Sequence, residues 1–251
     1  MSRRMDDMPR FFVTSPPDGD GVITITGDDA RHIALSLRCA VGEHLTVCRA
    51  GSVYDCELLA VNPESVKAHV LSVCEDLSEP PCAVTLFVAN PKGDKLEVII
   101  QKATELGAVR VVPFLSERCV SRPDKSARDK RRARGERIAA EAAKQCGRGI
   151  VPEIDLLTDF ESAVREASKA DAALFVYEKE EAKTLRDAIA GVLRRGMTVS
   201  VMTGAEGGFS PEEAAAAVDA GMIPCSLGHR ILRCETAPLY VLSAISYETE
   251  L

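Results

Sequence analysis

Between residues 82 and 251, short apolar runs alternate with stretches of helical periodicity, and this alternation restricts the fold more than any other feature of the chain. Strand-length runs stand at 84–89, 109–114, 172–176, 198–202 and 223–227, and helical spacing predicts helices over 94–106, 128–146, 181–195, 211–220 and 237–248. Gly107 and Gly147 follow two of these helices as stop signals. Strands joined through helical crossovers lie parallel, so the segment reads as an α/β domain on a mainly parallel sheet.

One strand, its loop and its helix are marked most clearly in the stretch MTGAEGGFSPEEAAAAVDAG, from Met202 to Gly221. Ser210 can cap the helix, Pro211 suits its first position, Glu213 completes a capping box and Gly221 supplies the stop. The loop from Gly204 to Phe209 therefore lies at the carboxyl end of a strand, where open α/β sheets bind their ligands. Its three glycines let the backbone approach a ligand closely. Phosphate suits it poorly, because Glu206 brings a negative charge, no lysine follows the glycines, and the spacing is not that of a dinucleotide loop. A neutral or cationic nucleoside suits it better. A second loop, from Ser226 to Ala237, leads into the last helix, and two strand-end loops together point to a small-molecule pocket. The alternative is that Gly204, Gly207, Gly208 and Gly228 only make tight turns.

The first part of the chain differs in kind. Short β runs at 22–25, 45–48, 54–58 and 66–70 recur about every ten residues between Gly, Asp, Asn and Pro, the rhythm of a small barrel or sandwich, with a short helix at 28–37. An acidic, proline-bearing stretch at 75–81 ends the series. The expected organisation is a β domain over 1–75, a linker at 76–81 and the α/β domain over 82–251.

Composition excludes several classes. The start MSRRMDDMPRFF has no apolar core of a signal peptide, and no apolar run approaches the ~20 residues of a membrane-spanning helix, so a cytoplasmic protein without a membrane partner is expected. Nine cysteines, an odd number without a C-x-x-C pair or a histidine cluster, read as small buried hydrophobes rather than as a metal site or a disulfide framework. A net charge of −7 argues against nucleic acid, yet residues 118–148 carry eleven Lys or Arg against four Asp or Glu. Such a basic helix in an acidic protein is either a solvated face or a surface for phosphates.

An ordered set of residues resembles the RsmE-type methyltransferases, SPOUT-class enzymes that methylate N3 of a uridine in small-subunit (16S) ribosomal RNA. Arg10-Phe11-Phe12, His32, Leu37-Arg38 and Gly42 begin the set. Lys92-Gly93-Asp94-Lys95, Lys102 to Gly107, Glu117-Arg118, Glu141-Ala142, Gln145 and Arg148 continue it. Gly204, Glu206 to Phe209, Leu227-Gly228, Arg230 to Arg233 and Glu235 to Ala237 complete it, in the family's order and over nearly the whole chain. Two positions depart: the family usually has Pro where Ala205 and His229 stand, and Met1 to Met8 has no counterpart.

The resemblance implies a PUA-like β-barrel for RNA docking over 1–75 and a SPOUT domain over 82–251 whose C-terminal segment forms a trefoil knot. It implies S-adenosylmethionine as cofactor, 16S rRNA or the small ribosomal subunit as partner, and a homodimer, with the helical stripe Leu239, Leu242, Ile245 and Ser246 as the expected interface. Cofactor contacts are expected at Thr203, Gly204, Ala205, Glu206, Gly207 and Gly208, and at Ser226, Leu227, Gly228, Ile231, Leu232, Thr236 and Ala237. RNA contacts are expected at Arg10, Arg31, Arg38, Lys92, Lys95, Arg118, Arg122, Arg131, Arg132, Arg134, Gln145 and Arg148.

Uridine N3 carries a proton at neutral pH, so an enzyme acting there must take the proton or stabilise the anion. Arg233, at the position of the family's invariant arginine, is the expected stabiliser of that anion, with a salt bridge to Glu235 or Glu206 as its alternative role. Glu206 is the second candidate catalytic group, or else a carboxylate complementing the helix that follows. His229 stands where the family has Pro and reads as a loop residue; His32, His44 and His69 show no ligand spacing. Two other readings remain beside the enzyme: a non-catalytic RNA-binding or ribosome-assembly protein on the same fold, and a methyltransferase of a different RNA.

Overall fold

The computed structural model describes residues 8–49 and 51–251. Met1 to Asp7, most of the segment without a family counterpart, lie outside the described residues. The chain divides into two compact units, Met1–Glu79 with Ala143–Ile150, and Pro80–Ala142 with Val151–Leu251.

The first unit is a five-stranded sheet of β1 (Arg10–Phe12), β2 (Val22–Thr26), β3 (His44–Arg49), β4 (Ser52–Val61) and β5 (Ser65–Glu75), in the order β1-β3-β4-β5-β2. Only the β1 and β3 pairing is parallel. Alternation sets its inner face: in β2, Ile23 and Ile25 are buried while Thr24 and Thr26 are exposed. Phe11, Ile33, Leu45, Val47, Leu58 and Val66 complete that core. The predicted helix at 28–37 is α1 (Gly27–Arg31), continued by a π-helical turn over His32–Ser36.

A segment distant in sequence also belongs to this unit. Arg148 is only 3% exposed, and its Nη2 lies 2.5 Å from Glu79 Oε2, while Glu79 Oε1 accepts the N–H groups of Gly149 and Ile150 at 3.2 and 3.1 Å. Arg148 is thus committed to a buried pair instead of facing solvent as an RNA contact. Arg10 is likewise largely enclosed beside Asp76, at 3.8 Å.

The second unit is a parallel sheet of β6 (Ala83–Ala89), β7 (Arg110–Leu115), β8 (Glu153–Ile154), β10 (Ala172–Val176), β11 (Thr198–Thr203) and β12 (Ile223–Cys225), in the order β12-β10-β11-β6-β7-β8; β9 (Thr158–Asp159) also pairs with β7. Every pairing is parallel, as the helical crossovers require. Both faces are buried. Val84, Leu86 and Val88 of β6 face one core with Leu174, Val199 and Val201, beneath α2 (Lys95–Glu105), α5 (Leu185–Ile189) and α7 (Thr236–Glu250). Phe87, Ala89, Phe175 and Met202 face the other, beneath α4 (Phe160–Ala167) and α6 (Pro211–Asp219). Period-two alternation along the strands therefore builds two cores from one sheet.

Helix boundaries follow their caps. Ser210 accepts from the Glu213 N–H and Glu213 returns the bond, with Pro211 in the first turn and Gly221 past the end at φ +92°, as the sequence predicts. The long helix α3 (Lys125–Cys146) starts three residues before its expected position because Asp124 accepts the Ala127 N–H at 2.8 Å. The helix expected over 181–195 shrinks to α5. Thr184 and Asp187 form a capping box at its start, Ser226 takes the preceding backbone into a parallel bridge, and Gly191 turns the chain at φ +67°. The same bridge ends β12 at Cys225 instead of 227. Periodicity alone missed α4, which Asp159 caps through the Ser162 N–H.

In α7, Leu242 and Ile245 of the expected interface stripe are 1% and 3% exposed and pack into the unit's own core, while Leu239 and Ser246 are half-buried. Of the nine cysteines, Cys74 alone is exposed and six are buried. Among the described residues no cluster of His, Cys, Asp and Glu has the makings of a metal site, and no helix is long and apolar enough to cross a membrane.

Candidate active site

The loops after β11 and β12 meet around a cavity of about 400 Å³ at the carboxyl ends of the strands. The first contributes Gly204, Ala205, Glu206, Gly207 and Gly208, and the second Ser226, Leu227, Gly228, Arg230, Ile231, Leu232, Arg233, Cys234 and Ala237. Of the expected cofactor contacts, Thr203 and Thr236 fall outside this lining. Thr203 is fully buried, and its Oγ1 has no hydrogen-bond partner.

Sequence reasoning missed Val176, the last residue of β10, and Tyr177 and Glu178 after it, which line the cavity. The strand-end rule that found the other two loops applied to this one as well, but it contains no glycine to draw attention. Arg230 and Cys234 also line the cavity without having been expected there; His229 does not.

The glycine loop is packed from both sides. A Cβ on Gly207 would lie 2.8 Å from the Arg118 Cβ, and Arg118 Nη1 donates to the Gly207 carbonyl at 3.0 Å. At its far end Phe209 is fully buried, 4.6 Å from Phe175 between ring centroids, and anchors the loop in the core. Glu213 joins the loop to its neighbour, since its carboxylate accepts the N–H of Ser210 at 3.0 Å and that of Glu117 at 2.8 Å.

Electrostatics at the cavity centre on Lys95, whose Nζ lies 2.9 Å from Glu206 Oε1 and 3.4 Å from Glu235 Oε2. The Glu206 hydrogen bond raises the Lys95 ammonium well above its ordinary value. Burial alone would raise Glu206, but the Lys95 hydrogen bond, with the N–H groups of Glu206 and Lys92, holds it below the usual carboxylate value. Glu235 is also lowered, by its own backbone N–H against the opposing burial, then by Cys234 and Lys95. Burial, aided by Glu235, pushes the Cys234 thiol up to about 11. Arg233 is exposed and takes neither carboxylate: among the described residues it is in no ion pair. The salt bridge weighed for it goes to Lys95 instead.

The expected RNA contacts are scattered by comparison. Arg31, Arg38, Lys92 and Gln145 are exposed. Arg118 and Arg122 bind backbone carbonyls, Arg131 reaches Asn90 and Ser121 at 3.4 Å, Arg132 pairs with Glu136 at 2.9 Å and Arg134 with Glu97 at 2.6 Å.

These features suit a nucleoside-bearing cation. The cavity has the size of a small-molecule site, the glycines leave the backbone bare, and the Glu178 carboxylate on its wall complements a positive charge. The fold and cavity are those of an RNA methyltransferase: residues 78–246 match the family profile described as an RNA methyltransferase domain, and residues 25–71 that of an RNA methyltransferase PUA domain. More narrowly, the chain belongs to the ribosomal RNA small subunit methyltransferase E family. It is 37% identical to the protein of that name from Bacillus subtilis, covering 91% of each chain, and 31% identical to that of Mycobacterium bovis, covering 95% of this chain and 91% of the relative. The crystal structure of the Neisseria gonorrhoeae protein bound to S-adenosyl methionine superposes with a TM-score of 0.82 at 28% identity, over 96% of this chain and 97% of that one.

Proposed function

We propose that this chain uses S-adenosylmethionine to methylate N3 of a uridine in the 16S RNA of the small ribosomal subunit. The observation that carries the proposal is the position of Arg233, which lines the cavity between the two glycine loops with no carboxylate partner among the described residues. When bound, the cofactor supplies a methyl group on a sulfonium, and transfer needs chiefly alignment with the nucleophile. The backbone of 204–208 and 226–232 holds the nucleoside, and Glu178, which unlike Glu206 is not held by Lys95, balances its charge. Glu206 and Glu235 are held below the usual carboxylate value and are therefore poor proton acceptors at neutral pH. Stabilising the uridine anion through the Arg233 guanidinium is accordingly the chain's main contribution to the chemistry.

The first unit supplies an RNA-docking surface with Arg31, Arg38 and Gln145, and the exposed faces of Lys92, Arg118, Arg122, Arg131, Arg132 and Arg134 supply further contacts in the second. N3 is hidden in a base pair, so the target nucleotide is splayed or flipped out. The segment after β12 forms a trefoil knot, a reading supported by the path from this edge strand back to α7, which packs on α2 and β11 at the middle of the sheet. The enzyme works as a cytoplasmic homodimer. Exposed Tyr240 and Tyr247 on the outer side of α7 support the pairing, beside the half-buried Leu239 and Ser246.

The test is methylation of ribosomal RNA extracted from a strain lacking the gene, with the modified base mapped by mass spectrometry. A methyl group on uridine N3 of 16S RNA is the expected result. Transfer to a different RNA overturns the substrate, and RNA binding without transfer makes the chain a non-catalytic assembly protein.

A further inference from the structure

Lys95 sits on neither cavity loop. It is the first residue of α2, yet its Nζ bonds Glu206 in the loop after β11 and Cys234 (3.6 Å) and Glu235 at the end of the loop after β12. One ammonium thus bridges both loops from a third element. Its location runs against helix electrostatics, because a cation at the amino end of a helix is opposed by the macrodipole. Two carboxylates offset that opposition. The turn before α2 grips Glu206 a second time, through the Lys92 N–H at 3.2 Å from the same Oε1. Arg233 lines the same cavity two residues from Glu235, and it stays outside this ion-pair group.

We propose that Lys95 is a positioning residue that ties the two cavity loops together through Glu206 and Glu235 and keeps those carboxylates off Arg233. This inference rests on the function proposed above for the cavity. It replaces the phosphate contact expected for Lys95, since an ammonium held by two carboxylates has little charge left to displace counterions from RNA. Without Lys95, two carboxylates would stand uncompensated near a guanidinium, which is the best cationic partner a carboxylate can find. Arg233 then turns to them, and the anion on the substrate loses its counter-charge.

The test uses the full chain with Lys95→Met, Lys95→Arg, Glu235→Gln and the double variant Lys95→Met/Glu235→Gln. Hydrogen exchange on the cofactor-free protein reads the tie: the Gly208 N–H, which donates to the Ala205 carbonyl at 3.0 Å, exchanges about tenfold faster in Lys95→Met and near the wild-type rate in Lys95→Arg. Unchanged exchange in Lys95→Met overturns the tie. Single-turnover methylation at saturating S-adenosylmethionine and RNA reads the effect on Arg233. Lys95→Met falls about tenfold or more, and the double variant recovers about threefold, because a carboxylate that captures Arg233 is gone. A purely structural role gives no such rescue. An unchanged rate in Lys95→Met, or a double variant no faster than the single, overturns the proposal. The salt dependence of RNA binding matches wild type; a slope shallower by about 0.7–0.9 in Lys95→Met identifies Lys95 as a phosphate contact and overturns it as well. If the wild type methylates no RNA, the proposed function fails, and the exchange comparison still decides the tie.

Discussion

Glu178 occupies the space that a side chain on Gly208 would need: a Cβ there lies 2.5 Å from Glu178 Oε1. Gly208 also has φ +62°, where an L side chain costs about 1–2 kcal/mol. Gly208→Val is therefore expected to displace the Glu178 carboxylate from the cavity wall and fill the cradle. S-adenosylmethionine affinity falls at least about tenfold, equivalent to ~1.4 kcal/mol, while the protein remains folded. Calorimetry on a variant with wild-type circular dichroism checks this, and undiminished affinity places the cofactor elsewhere.

Phe209 anchors the same loop from the core side. Its ring lies 4.6 Å from Phe175, 6.1 Å from Phe160 and 6.3 Å from Phe114, and it is fully buried. Phe209→Ala leaves a cavity among three rings and is expected to cost about 3–5 kcal/mol, read as a fall in the denaturant midpoint. A loss under about 1 kcal/mol means that the loop is held by its polar contacts instead.

Docking and chemistry separate by charge. Reversing Arg131, Arg132 and Arg134 together is expected to weaken RNA binding and flatten its salt slope by about two units, at ~0.7–0.9 per lost phosphate contact, with cofactor affinity unchanged. Arg132 and Arg134 already hold Glu136 and Glu97, so a slope that does not move identifies the helix as a solvated, internally paired face. Arg233→Ala is expected to do the converse. It leaves RNA binding nearly intact and lowers the single-turnover rate by about a hundredfold, the scale of removing one donor to a developing anion.

The Lys95 cluster has a defined pH window. Glu206 and Glu235 are lowered from 4.5, so their contribution to stability is complete above that value and is lost as the pH falls through their lower folded values. Lys95 is raised from 10.5, so its contribution is complete below that value and is lost only as the pH rises through the higher folded value. The melting-temperature gap between wild type and Lys95→Met is expected to be flat from about pH 5 to 9 and to close on acidification below about pH 4. A gap that widens in acid contradicts the ion-pair assignment.

Much of the fold was legible in local pattern. The capping box of Ser210 and Glu213, the stop at Gly221 and the short apolar runs of β6, β10 and β11 are properties of neighbours a few residues apart, and such short-range preferences survive in any context that allows the sheet to form. The two glycine loops were legible for the same reason, since a loop between a recognisable strand and a recognisable helix has only one end of the sheet to occupy. The short α5 was not, because its length depends on Ser226, a strand away, drawing 183–184 into extended pairing.

Sequence alone thus determined most of the element types, the parallel sheet and the end of the sheet at which the two glycine loops stand. Only the tertiary structure decided which charges neutralise one another: Lys95 finds Glu206 at a separation of 111 residues, Arg148 finds Glu79 at 69, and Leu242 and Ile245 of α7 turn into the core. A charged side chain looks the same in a sequence whether it faces water or a carboxylate. Its role follows from its partner, and partners are chosen by burial and distance, which exist only once the chain has folded.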